Sequence, residues 1–126
     1  MKFRFARHSN NIYKLQKFYS EILGFETIGH FQDHKNYNGI FLGLPNSEWH
    51  LEFTESNEKA NHTFDEDDIL VFYPESQNEY DQYIKTIKEN KIDIIESKNP
   101  FWKTNGIMFL DPDGYRIVIS NNKVVI

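Results

Sequence analysis

The chain contains no cysteine, which excludes disulfides, thiolate metal sites and cysteine nucleophiles together. It also lacks an apolar run of membrane-spanning length. Its opening stretch, MKFRFARHSN, alternates charged and apolar residues where a secretory leader would carry an unbroken apolar segment. A cytoplasmic location and no membrane partner are the expectations. The formal net charge is −5 and the lysines are scattered, so no basic stripe is available for a phosphate backbone and nucleic acid is not an expected partner. There is no P-loop, no dinucleotide glycine fingerprint and no strained serine elbow.

What the sequence does have is aromatic mass. Eleven Phe and seven Tyr bring the aromatic share to 16% of 126 residues, enough for aromatic strand faces, a packed core or the lining of an apolar cavity. At this length and 39% hydrophobic content, one compact domain is the expectation.

That domain is written twice. NGIFLGLPNSEWHLEF begins at Asn38 and NGIMFLDPDGYRIVIS at Asn105, each reading strand, Pro-centred turn, strand. Asn38 to Asn105 and Pro45 to Pro112 share one separation of 67 (105 − 38 and 112 − 45). Upstream of each copy lies a helical pattern. Ile12, Leu15, Phe18, Tyr19 and Ile22 make one stripe, stopped at Gly24; Tyr80, Tyr83, Ile84 and Ile87 make the other, stopped near Asn90. A short strand precedes each helix, KFRFAR and ILVFYP. The second strands are read at Phe25 to Phe31 and in the short run KIDII. The result is an α+β fold of two tandem β-α-β-β-β units, about 1–56 and 67–126, joined by a polar linker over about 57–66, with about eight strands and two helices.

Alternation along the strands sorts the charged residues. In KFRFAR, Phe3 and Phe5 share one face and Arg4 the other; in WHLEF, Trp49, Leu51 and Phe53 oppose His50 and Glu52. If the apolar faces meet the helices, Arg4, His50 and Glu52 share the remaining face.

The segments KFYSEILGFE, WHLEFTE and NPFWKTNGIMFLDPDGYRIVIS, in this order and spacing, make the chain resemble the vicinal oxygen chelate superfamily of glyoxalases, dioxygenases and fosfomycin- and bleomycin-resistance proteins. The resemblance covers nearly the whole chain. It implies that the two units form a curled, cup-like mixed sheet, that chains pair as homodimers, and that metal-dependent members ligate one divalent ion at four cup-facing positions. Carried over residue by residue, those positions are Arg4, Glu52, Asp68 and Val118. An arginine has no lone pair to offer and a valine has no donor, so the resemblance implies a scaffold whose ion has been replaced by an Arg4–Glu52 ion pair.

Three functional readings follow. The first is a metal-free, resistance-type binding protein without cofactor, holding a small aromatic or cationic molecule among Arg4, Tyr37, His50, Glu52, Trp102, Met108 and Val118. The second is a lyase- or dioxygenase-type enzyme with one divalent ion on a rearranged site of His50, Glu52 and Asp68. The third is metal-free acid–base chemistry by Arg4 and Glu52, which arginine serves poorly as a proton donor. The residues do not identify the ligand.

Overall fold

A computed structural model describes residues 1–122 of the chain. It divides into two compact units, one spanning Met1–His62 and one beginning at Thr63.

The first unit runs β1 (Phe3–His8), α1 (Ile12–Leu23), β2 (Glu26–His34), β3 (Tyr37–Gly43) and β4 (Trp49–Glu55). Asn11 starts α1 by accepting the Lys14 N–H on its side chain at 3.2 Å. Gly24 ends it at φ 71, where the left-handed turn lets the amides of Gly24 and Phe25 reach the carbonyls of Ser20 and Tyr19. The sheet order is β1-β4-β3-β2, with β1 parallel to β4 and the other pairs antiparallel.

One face of this sheet is closed by α1. Leu15, Tyr19, Ile40, Leu42, Leu51 and Phe53 are buried there, and the Tyr19 ring lies 5.9 Å from Phe25 and 5.2 Å from Phe53. Trp49 sits edge-on to Phe25 at 5.4 Å. Phe3, expected on the covered face, is exposed: it is the first residue of β1 and lies beyond the reach of the helix.

The second unit runs β5 (Ile69–Phe72), α2 (Gln77–Glu89), the single turn α3 (Phe101–Thr104), β6 (Gly106–Leu110) and β7 (Arg116–Ser120). Ser76 caps α2 by accepting the Glu79 N–H at 3.1 Å, and the Glu79 carboxylate reaches back to the Glu75 N–H. The sheet order is β5-β7-β6, with β5 parallel to β7. Ile87, Met108, Phe109, Ile117, Val118 and Ile119 form its core. The hairpin between β6 and β7 is fixed by buried Asp111, whose carboxylate accepts the amides of Asp113 and Tyr115 at 2.9 and 3.0 Å, while Gly114 takes φ 86.

The run KIDII does not form the expected strand. Only Ile95 pairs, in an isolated bridge to Met108, so the described residues hold seven strands rather than eight, and a third, four-residue helix. With Lys91 in a left-handed turn and Pro100 soon after, the segment turns away before a second ladder bond can form. The second strand of the first unit is by contrast longer than read, extending to His34.

No helix among the described residues is long and apolar enough to cross a membrane.

Candidate functional site

The strand registers show which positions of the two units are counterparts. In the first unit Phe41 pairs with Glu52, and Arg4 with His50. In the second, Met108 pairs with Val118, and Ile69 with Arg116. Gly39 opposite Thr54 matches Gly106 opposite Ser120, so the separation of 67 on the first hairpin strand (106 − 39) becomes 66 on the last (120 − 54). The first hairpin is one residue longer. Glu52 therefore corresponds to Val118, as the resemblance implies. The counterpart of Arg4 is Ile69, one residue past Asp68.

Asp68 itself precedes β5 on an exposed turn, and its carboxylate accepts the Asp65 N–H at 3.3 Å. Because strand side chains alternate, a residue one position before Ile69 belongs to the face opposite Val118.

The charged cluster lies in the first unit, on the sheet face that α1 leaves open. The Arg4 Nε donates to His50 Nε2 at 2.7 Å, and its Nη1 donates to Glu52 Oε1 at 3.3 Å. The guanidinium lies over the Phe41 ring, 4.4 Å from its centroid, and His50 meets the same ring edge-on at 6.0 Å. Burial, then the Arg4 charge, lower the His50 pKa below its ordinary value, while the Glu52 charge opposes them. With Arg4 Nε–H as the donor, His50 Nε2 is the acceptor, so the neutral ring carries its proton on Nδ1.

The aromatic floor was not legible as a site in the sequence. Phe41 lies directly across from Gly29 and Phe31 across from Gly39, and the two rings are 5.9 Å apart. A Cβ at Gly29 would stand 2.8 Å from the Phe41 ring, and one at Gly39 would collide with Phe31. Each glycine thus lets the opposing ring lie down on the sheet.

The remaining expected residues lie outside this cluster, Tyr37 on the same sheet face and the others in the second unit. Tyr37 is exposed at the start of β3, its ring 5.6 Å from His8. His8 is held by Thr54 Oγ1 at 2.8 Å and Ser56 Oγ at 3.1 Å. Met108 and Val118 are cross-strand partners in the second unit, and both are buried. Trp102 is half-buried on α3 and shares with Ile95, Ile107 and Met108 a pocket of ≈ 360 Å³, beside an ion pair of Lys103 and Glu96 at 2.6 Å. His30 and His34, four residues apart, would meet on a helix, but on β2 that spacing separates them by about 13 Å.

The donor set does not fit a resident divalent ion. Among the described residues no three His, Cys, Asp or Glu side chains gather at ligating distance. The two donors beside Arg4, His50 Nε2 and Glu52 Oε1, are both engaged by it.

Residues 3–54 match the model of the YycE-like N-terminal domain and residues 67–121 that of the YycE-like C-terminal domain. The chain is 36% identical over 124 residues to YycE of Bacillus subtilis (strain 168), covering 95% of this chain and 87% of that protein. The crystal structure of Bacillus subtilis YycE superposes with a TM-score of 0.87 at 35% identity, covering 98% of this chain and 91% of that one. At the level of fold alone, Leishmania major glyoxalase I matches with a TM-score of 0.72 at 21% identity over 94% of this chain and 84% of its own. The fosfomycin resistance protein FosX of Listeria monocytogenes, in complex with Mn(II) and a dihydroxypropylphosphonic acid, matches with a TM-score of 0.70 at 15% identity over 96% and 91%. The chain belongs to the YycE-like family, on the glyoxalase fold of the vicinal oxygen chelate superfamily.

Proposed function

We propose that this protein binds a small molecule without a metal ion, as a resistance-type binding protein, on the open sheet face of its first unit. The observation that carries the reading is the double engagement of Arg4, which donates to both His50 and Glu52. Two unit charges 4 Å apart in an effective dielectric near 20 interact by about 4 kcal/mol, and a divalent ion doubles that. An ion at His50 and Glu52 would meet this repulsion from a guanidinium that cannot lose its proton. The FosX structure is a complex with Mn(II) and a phosphonic acid; here the arginine would supply the positive charge, and its remaining N–H groups would hold an oxygen ligand.

A thermal-shift screen of small molecules in EDTA tests this reading. Ligands should raise the melting temperature in the absence of divalent ions and lose that effect in Arg4→Met. Shifts that appear only with Mn, Ni or Zn added, and vanish in Glu52→Gln, would favour the metal-dependent enzyme with His50 and Glu52 as ligands.

A further inference from the structure

We infer that the ligand of this face is a planar aromatic monoanion, an aryl carboxylate, with its ring on the Phe31–Phe41 floor and its carboxylate on the free amino group of Arg4. The inference rests on the metal-free reading and specifies its ligand.

The guanidinium carries five N–H bonds. Nε is committed to His50 and Nη1 to Glu52, while Nη2 makes no hydrogen bond to the described residues. That group is accessible, since 46% of the Arg4 side chain is exposed. Its two N–H bonds form a donor edge of the kind that oxyanions occupy. His50, with Nε2 taken, keeps Nδ1–H as a further donor.

Charge selects the sign of the ligand. At the Arg4 end of the face, the charges felt most at His50 are those of Arg4, Glu52 and Lys2. They sum to one net positive charge, in a chain whose total is −5. A cationic ligand, the class expected from overall acidity, would meet this local excess unfavourably. One carboxylate neutralises it.

Shape selects the rest. Gly29, Gly39 and Gly43 contribute no side chain to this face, leaving the two phenylalanine rings half-buried against the sheet, tilted 43° to each other, with the guanidinium over Phe41. An aromatic ring placed against Phe31 and Phe41 removes apolar area of both partners from water, with its carboxylate directed to the guanidinium. A tetrahedral anion of similar charge would gain the Arg4 contact without the floor.

The test uses three probes of one shape on the full chain in EDTA: 1-naphthoate, 1-naphthylmethylammonium and 1-naphthalenemethanol, followed by thermal shift and by chemical-shift mapping. Naphthoate should bind at least about tenfold more tightly than either of the others, a difference of about 1.4 kcal/mol. Its perturbations should centre on residues 4, 31, 41 and 50. Arg4→Met should abolish the preference, and Phe41→Leu should weaken all three probes together. If Arg4→Met fails to fold, Arg4→Gln serves, removing the charge while keeping a polar side chain of similar length, and the preference for naphthoate should again be lost. Equal binding of the three, tighter binding of the ammonium, or perturbations confined to Trp102 and its pocket would overturn the inference and leave the metal-free reading standing. Binding of naphthoate only with added metal would overturn both.

Discussion

Arg4 Nε donates to His50 Nε2 across 2.7 Å, joining the parallel strands β1 and β4 at directly paired positions. The contact has two consequences. It assigns the imidazole proton to Nδ1, and it holds a permanent cation against a ring nitrogen that could otherwise ligate a metal.

His50 makes the stability of the fold depend on pH. The folded-state pKa of His50 lies below the unfolded value near 6.5, by burial first and the Arg4 charge second. The unfolded state therefore binds the proton more readily, and the neutral ring contributes stability that is fully present above pH 6.5 and is lost as pH falls through the folded-state pKa. Melting temperature measured from pH 8 down to pH 5 should fall more steeply in the wild type than in His50→Asn. Parallel curves for the two proteins would contradict the assignment.

Replacing Arg4 should rebuild a metal site. Arg4→His would put a third donor directly opposite His50 and on the face of Glu52, and would remove the repelling charge. Ni or Zn should bind this variant at least about tenfold more tightly than the wild type, by titration calorimetry. Equal affinities would mean that these backbones do not converge on one ion.

The Arg4–Glu52 pair itself adds little stability. It is long, at 3.3 Å, with the arginine side chain 46% exposed, which places it among surface pairs worth about 0–1 kcal/mol. Glu52→Gln should shift urea unfolding by no more than about 1 kcal/mol while altering ligand binding. A loss several times larger would show that the carboxylate supports the fold.

Glycines on the two sheets should differ in tolerance. A Cβ at Gly106 would stand 2.5 Å from the backbone oxygen of Ile119 and 3.1 Å from the Ser120 Cα, so β6 and β7 would have to separate. Gly106→Ala should cost about 1–3 kcal/mol. At Gly29 the obstacle is the Phe41 ring, which can swing aside. Gly29→Ala should therefore be better tolerated in unfolding but weaken ligand binding, because it tilts the floor. Equal unfolding costs would refute the comparison.

Much of this was legible in the sequence because it is periodic. The stripe Ile12, Leu15, Tyr19 and Ile22 is buried as the helical spacing requires, and Gly24 stops α1 in the left-handed conformation that only a cap needs. Alternation in WHLEF separated Leu51 and Phe53, both buried, from His50 and Glu52. Three things were not legible. The counterpart of Arg4 is Ile69 and not Asp68, because Arg4 pairs with His50 and Ile69 with Arg116, and register between strands far apart in sequence is not encoded in composition. Phe41 reads as one more apolar residue in NGIFLG, and only its register opposite Glu52 puts it under Arg4. The run KIDII has strand-like residues, but no partner ladder holds it beyond Ile95.

The central claim is that Arg4 has taken the place of an ion, and elemental mass spectrometry of the purified, untagged protein tests it most directly. The protein would be measured as isolated and after dialysis against Mn, Fe, Co, Ni and Zn in turn. Near-zero metal per chain is expected throughout. A stoichiometry close to one ion per chain, lost in Glu52→Gln or His50→Asn, would contradict it.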